Sequence, residues 1–256
     1  MATQELSQPA DLQGIINKYS PFLMEVKKRI FFTASLFAIG LIGGFIFSDR
    51  IVKMLIDILN LHDVNIVFTS PFQFINLAVA TGVAAGITLA FPLIISQVLS
   101  FLKPALRPKE YKMVVGFLPF TIFLFLAGFV AGIWMMKWQV ELFLSRSVAL
   151  GIGNVLDISR LLTIVVITSV LLGLAFQIPI ILLILMRMGV VKHKQLSKIR
   201  PLVYLGSFVF ALLLPPDSVI FDVLATLPLV ILFEITLILN RILERSKAGQ
   251  KVLDSV

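Results

Sequence analysis

The sequence has no cysteine, so neither a disulfide framework nor a thiolate metal site can form. Its two histidines, His62 and His193, stand far apart, and no His-Glu-x-x-His run is present, which argues against a zinc protease. A Gly-x-x-x-x-Gly-Lys phosphate loop and a Gly-x-Ser-x-Gly nucleophile turn are also missing. Charge is scarce: 14% of the 256 residues are Asp, Glu, Lys or Arg, against about 25% in soluble domains. Residues 1–21 are polar and include Glu5 and Asp11. They have neither the basic-then-apolar order of a secretory signal nor the acid-poor, Arg/Ser-rich composition of a transit peptide. The first apolar run is therefore expected to stay in the mature protein.

Apolar side chains are abundant, at 59% of the chain, with a mean hydropathy of +1.02. The expected class is an all-α polytopic membrane protein, one domain over residues 1–256, with polar tails at 1–21 and 241–256. Six apolar segments can be read: Ile30–Phe47, Phe72–Leu102, Val114–Met136, Leu161–Met186, Leu202–Leu214 and Val219–Leu239. Their continuous rather than alternating apolarity argues against barrel strands. The net charge of +8 fits a positive-inside membrane protein and not a nucleic-acid binder.

Lys and Arg fix the expected orientation. Four lie before the first segment, four between the second and third, five between the fourth and fifth, and four in the C-terminal tail. The opposite side receives Arg50, Lys53, Lys137, Arg146 and Arg160. Six transmembrane helices with both termini cytoplasmic, N-in/C-in, are the expectation. The fifth segment has 13 residues, or about 20 Å of helix, well short of a hydrocarbon core of about 30 Å. Small residues recur every fourth position at Ala78, Gly82, Gly86 and Ala90, at Gly40 and Gly44, and at Gly128 and Gly132. Such stripes let helix backbones approach closely, and packing within the chain is expected in preference to a homodimer face. Pro92, Pro119, Pro179 and Pro228 are expected to kink their helices.

Between the second and third segments runs Phe101-Leu102-Lys103-Pro104-Ala105-Leu106-Arg107-Pro108-Lys109-Glu110. Two prolines stiffen this turn, three cations make it basic, and Glu110 is its one carboxylate. Tails aside, Glu25 and Glu110 are the only acids on the basic side, and each precedes an apolar segment. They either balance nearby cations and favour helix N-termini, worth about a few tenths of a kcal/mol, or grip guanidinium groups by bidentate hydrogen bonds. Asp217 suits an N-cap of the sixth helix. Glu234 either snorkels outward or faces a polar cavity. Gln177 is the deepest polar residue, and either bonds a neighbouring helix or lines a concave face.

These residues resemble the TatC family of the twin-arginine protein-export pathway. Ser70-Pro71-Phe72 is similar to the family's Ser-Pro start of its second helix. Phe91-Pro92 through Gln97 to Phe101, then Pro104-Ala105-Leu106 and Glu110, matches its most recognisable stretch. Phe176-x-x-Pro179, Pro215-Pro216-Asp217, and Pro228 with Phe233-Glu234 resemble its last three helices. The resemblance covers roughly residues 20–241. It implies a curved, glove-like wall of six helices with short fifth and sixth helices, in a bacterial or archaeal cytoplasmic membrane. It implies a receptor and scaffold, not an enzyme, with no cofactor. Its partners would be precursor proteins with twin-arginine signal peptides, single-span TatA- and TatB-type subunits, membrane lipid, and further copies of itself.

The resemblance assigns peptide binding on the cytoplasmic face to Glu25, Arg29, Phe101, Pro104, Leu106 and Glu110, within residues 22–30 and 101–113. It assigns the membrane wall and partner contacts to Pro71, Pro92, Gln97, Gln177, Pro179, Asp217 and Glu234. The chain departs from the family pattern at Lys27, where Arg is common, and at Gln177, where the family has Glu. The second change removes an ionisable group, so no proton-linked role carries over there. A proton-coupled secondary transporter, using Asp217, Asp222, Glu234 and Gln177 along a path, is the alternative; a scaffold without a peptide ligand is another.

Overall fold

A chain crossing lipid must satisfy its backbone polar groups internally, and the long apolar runs here do so as helices. The computed structural model describes residues 9–61, 64–102, 111–112, 115–151, 155–187, 193–215 and 218–253. Its elements are α1 (Pro9–Ile46), α2 (Ser48–Ile58), β1 (Asn65–Val67), α3 (Gln73–Leu102), α4 (Leu118–Ala149), β2 (Val155–Asp157), α5 (Ile158–Ala175), α6 (Ile178–Arg187), α7 (His193–Lys198), α8 (Arg200–Leu212) and α9 (Val219–Leu253).

Among the described residues, five stretches are long and apolar enough to cross a membrane: Met24–Ile46, Gln73–Gln97, Leu118–Ala149, Ile158–Met186 and Val219–Arg241. The sixth apolar helix, α8, has 13 residues, as the sequence suggested. The expected short sixth helix is not found: α9 runs 35 residues, and 23 of them form its apolar span. The third segment was expected to end at Met136, but α4 continues to Ala149. Lys137 ends the apolar run without ending the helix, because it pairs with Glu141 one turn on, at 3.9 Å. Pro119 does not kink α4. It sits in the first helical turn, where a missing N–H leaves nothing unpaired. Pro92 and Pro228 lie inside continuous helices.

The glycine stripes close two seams. A Cβ built on Gly40 would lie 2.7 Å from Gly86 Cα, and one on Gly44 would lie 2.9 Å from Gly82 Cα. On the other seam, a Cβ on Gly128 would lie 2.9 Å from Gly173 Cα, and one on Gly132 2.6 Å from Ser169 Cα. Thus α1 packs on α3, and α4 on α5, at backbone contact. The span containing α5 is the most enclosed, 61% buried against 11% for the first span. Leu162, Val165, Val166, Val170 and Leu172 of α5 centre the main core. Contacts then pass from α6 to α9 and from α9 to α8. Among the described residues the helices form an open series, with α1 packed mainly on α2 and α3.

Two short parallel strands depart from the all-helical expectation, pairing Asn65 with Val155 and Val67 with Asp157. Asp157 caps α5, accepting from the Arg160 backbone N–H at 3.0 Å. Its other oxygen accepts from Thr69 Oγ1 at 2.8 Å and Gln73 Nε2 at 2.7 Å. The Arg160 N–H holds the carboxyl below the usual carboxylate range; partial burial opposes this, and the Thr69 and Gln73 bonds add to it. Ser159 Oγ also donates to Gln73 O at 2.8 Å. The starts of α3 and α5 are thereby tied together. The amphipathic α2 fits the same end, burying Ser48 and Leu55 while Asp49, Arg50, Lys53 and Asp57 stay exposed.

Candidate functional site

Glu25 and Arg29 stand one turn apart on α1, so their side chains meet on one helix face. Arg29 Nη2 lies 2.5 Å from Glu25 Oε1. The Glu25 side chain is 61% exposed and that of Arg29 32%. Gln97, near the end of α3, locks this turn in place. Its Nε2 donates to Arg29 O at 3.2 Å, its Oε1 accepts from Thr33 Oγ1 at 2.6 Å, and its carbonyl accepts from Arg29 Nη1 at 3.5 Å. Sequence grouped Gln97 with the membrane wall, whereas its polar atoms are committed to α1. Phe101 lies one turn beyond Gln97 in α3, which ends at Leu102. Pro104, Leu106 and Glu110 lie outside the described residues, as does Asp217.

The wall residues divide. Pro92 is half-buried beside Phe91, whose ring stacks on Phe125 at 4.1 Å and 18°. Pro71 is exposed in the turn before α3, at the end far from Gln97.

Gln177 is 5% exposed, in the break between α5 and α6. Pro179 has no N–H to continue the helical ladder, and the turn tightens: Gln177 N donates to Leu174 O at 3.0 Å. The side-chain Nε2 then takes the place of that N–H at Gly173 O, 3.4 Å away. Gln177 Oε1 is buried without a partner among the described residues. Among the described residues its one hydrogen bond stays within its own turn and does not reach a neighbouring helix. Pro179 lines a 220 Å³ cavity bounded by Ala175, Val203, Gly206 and Phe210.

An unpartnered buried acceptor costs about 1–3 kcal/mol, more than a 3.4 Å bond returns. Gln177→Met is therefore expected to leave the thermal unfolding midpoint in detergent unchanged or higher. A clear fall in midpoint contradicts this account of the turn.

Glu234 neither snorkels alone nor faces an empty cavity. Arg200 Nη2 lies 3.2 Å from its Oε2, and Tyr204 Oη donates to its Oε1 at 2.5 Å. Arg200 and Tyr204 are one turn apart on α8, and the Tyr204 ring meets Phe233 edge-on at 6.3 Å. The bridge fastens the short α8 to α9. Sequence reasoning missed both partners, although their i, i+4 spacing on an otherwise apolar helix was a signal. It also missed the Asp157 cap, whose Asp immediately before an apolar helix was readable.

Comparison with known proteins bears on this arrangement. Residues 21–228 match the family described as Sec-independent protein translocase protein (TatC). The Sec-independent protein translocase protein TatCy of Bacillus subtilis is 30% identical over 243 residues, covering 91% of this chain and 92% of that one. A TatC of Methanocella arvoryzae is 28% identical over 249 residues, covering 95% and 100%. The crystal structure of a twin-arginine translocase receptor, TatC, in DDM matches with a TM-score of 0.76 at 26% identity, covering 85% of this chain and 98% of that chain.

Proposed function

The chain belongs to the TatC family of Sec-independent protein translocase proteins, and from that premise we propose that it is the receptor subunit that binds twin-arginine signal peptides. As a family member it is a translocase component of a multi-pass membrane type, not an enzyme. The proposal adds six spans with both termini cytoplasmic, in the cytoplasmic membrane of a bacterium or archaeon. It adds assembly with TatA- and TatB-type single-span subunits and with further copies of the chain.

Glu25 carries the reading. It is an exposed carboxylate beside Arg29, in a turn bonded to the end of α3 through Gln97. The chain leaves that end of α3 toward Pro104, Leu106 and Glu110. Two carboxylates on adjoining segments suit a dicationic ligand with planar, forked donors. Pro179 and the cavity beside it are the proposed contact for partner helices, with buried Gln177 shaping the turn that presents Pro179. The alternative of a proton-coupled carrier finds less support, since Glu234 is paired with Arg200 and Gln177 has no ionisable group.

A photo-crosslinker at position 110 in membranes is expected to capture a twin-arginine precursor near its paired arginines, while one at position 50 captures none. Capture at 50 but not at 110 overturns the assignment.

A further inference from the structure

At the end of the molecule closed by the β1–β2 ladder, α4 and the start of α5 border an open cavity of 560 Å³, a size typical of small-ligand sites. Its wall is apolar along Met136, Val140, Phe143, Leu161 and Ile164. Its polar end is formed by Gln139, Asp157 and Arg160. We propose that this cavity binds a phosphatidylglycerol molecule of the adjacent leaflet, with its phosphate on the Arg160 guanidinium and an acyl chain along the apolar wall.

Three observations carry the assignment. The first is depth. The chain's two tryptophans, Trp134 and Trp138, lie one turn apart on α4, 66% and 43% exposed. Tryptophan gathers at the headgroup level of a bilayer. Gln139 follows Trp138 directly, so the polar end of the cavity lies at headgroup depth; Met136, Leu161 and Ile164 carry the apolar wall inward from it, and Phe143 lies on its outer side.

The second is charge. Asp157 is already occupied by the Arg160 N–H, Thr69 and Gln73. The exposed Arg160 guanidinium has no carboxylate partner among the described residues. Asp157 keeps its negative charge but directs its oxygens to Thr69, Gln73 and the α5 backbone, so the Arg160 guanidinium is left to take a phosphate by forked hydrogen bonds.

The third is an orphan acceptor. Gln139 Oε1 is buried with no hydrogen-bond partner among the described residues. A buried acceptor calls for a donor. The headgroup hydroxyls of phosphatidylglycerol supply one without a second positive charge. An ethanolamine headgroup would bring its ammonium toward Arg160.

The test uses the full-length protein, delipidated in detergent and titrated separately with phosphatidylglycerol and phosphatidylethanolamine, with retained lipid read by native mass spectrometry. Wild type is expected to prefer phosphatidylglycerol by about tenfold or more. Arg160→Gln keeps the backbone cap and is expected to erase that preference. Ile164→Trp fills the apolar wall and is expected to lower phosphatidylglycerol retention without a change of charge. Lys53→Gln, which removes a cation from α2 at the same end of the molecule, is expected to match wild type. A phosphatidylglycerol preference that survives Arg160→Gln, or wild-type retention by Ile164→Trp, overturns the proposal.

Discussion

Gly44→Leu is expected to prevent this protein from accumulating as a monodisperse species, while Gly43→Leu, one residue earlier, is expected to purify like wild type. The pair shares helix, depth and residue type, so propensity and hydrophobicity cancel. The difference is what each new Cβ would meet. At Gly44 it falls 2.6 Å from Ala85 Cβ and 2.9 Å from both Gly82 Cα and Thr81 O, whereas at Gly43 nothing lies within 4 Å. Backbone atoms cannot step aside as a side-chain tip can, so α1 must lift from α3. Overpacking of this kind costs about 1–3 kcal/mol for added methylenes and more where whole helices separate. Separation would also break the Arg29–Gln97 bonds, which span the same two helices. Size-exclusion profiles and unfolding midpoints of the two variants check this. Equal behaviour contradicts a backbone-contact seam.

That seam was visible in the sequence because small residues four apart have one physical use in lipid, close helix approach. The break at Gln177 was visible only in part: a kink was expected at Pro179, but the same expectation failed to separate it from Pro92 and Pro228, which lie inside continuous helices. The end of α4 was not visible. Charged residues close an apolar run, yet Lys137 and Glu141 pair along the helix and let it continue. The strand ladder was also hidden, because it joins three-residue strands whose partners, such as Asn65 and Val155, lie far apart along the chain. No local pattern encodes such a pairing.

The site was legible in part. Glu25 stood out as one of very few acids on a basic face, and Arg29 as its neighbour. Its coupling to Gln97 crosses between helices, so spacing along one segment did not reveal it. Glu234 was singled out as a carboxylate in an apolar segment, but its partners lie on another helix.

The second large effect concerns the carboxylates themselves. Glu25 is held by Arg29, one turn on along α1. An incoming guanidinium must therefore share or displace that partner, which offsets part of the gain. Glu25→Gln alone is expected to weaken twin-arginine peptide binding by about tenfold, the lower end of what a charge-assisted hydrogen bond contributes. Glu25→Gln with Glu110→Gln is expected to weaken it by about a hundredfold. Because Glu25 is largely exposed, the loss should shrink as salt screens the pair. Lysine, a point charge without the planar fork, benefits less from a bidentate carboxylate.

Titration of the purified protein and of the double variant with fluorescent twin-arginine and twin-lysine peptides tests the claim most directly. Wild type should prefer the twin-arginine peptide, and the double variant should lose most of that preference. Equal fold-losses for the two peptides, or twin-arginine binding undiminished in the double variant, would contradict paired-carboxylate recognition.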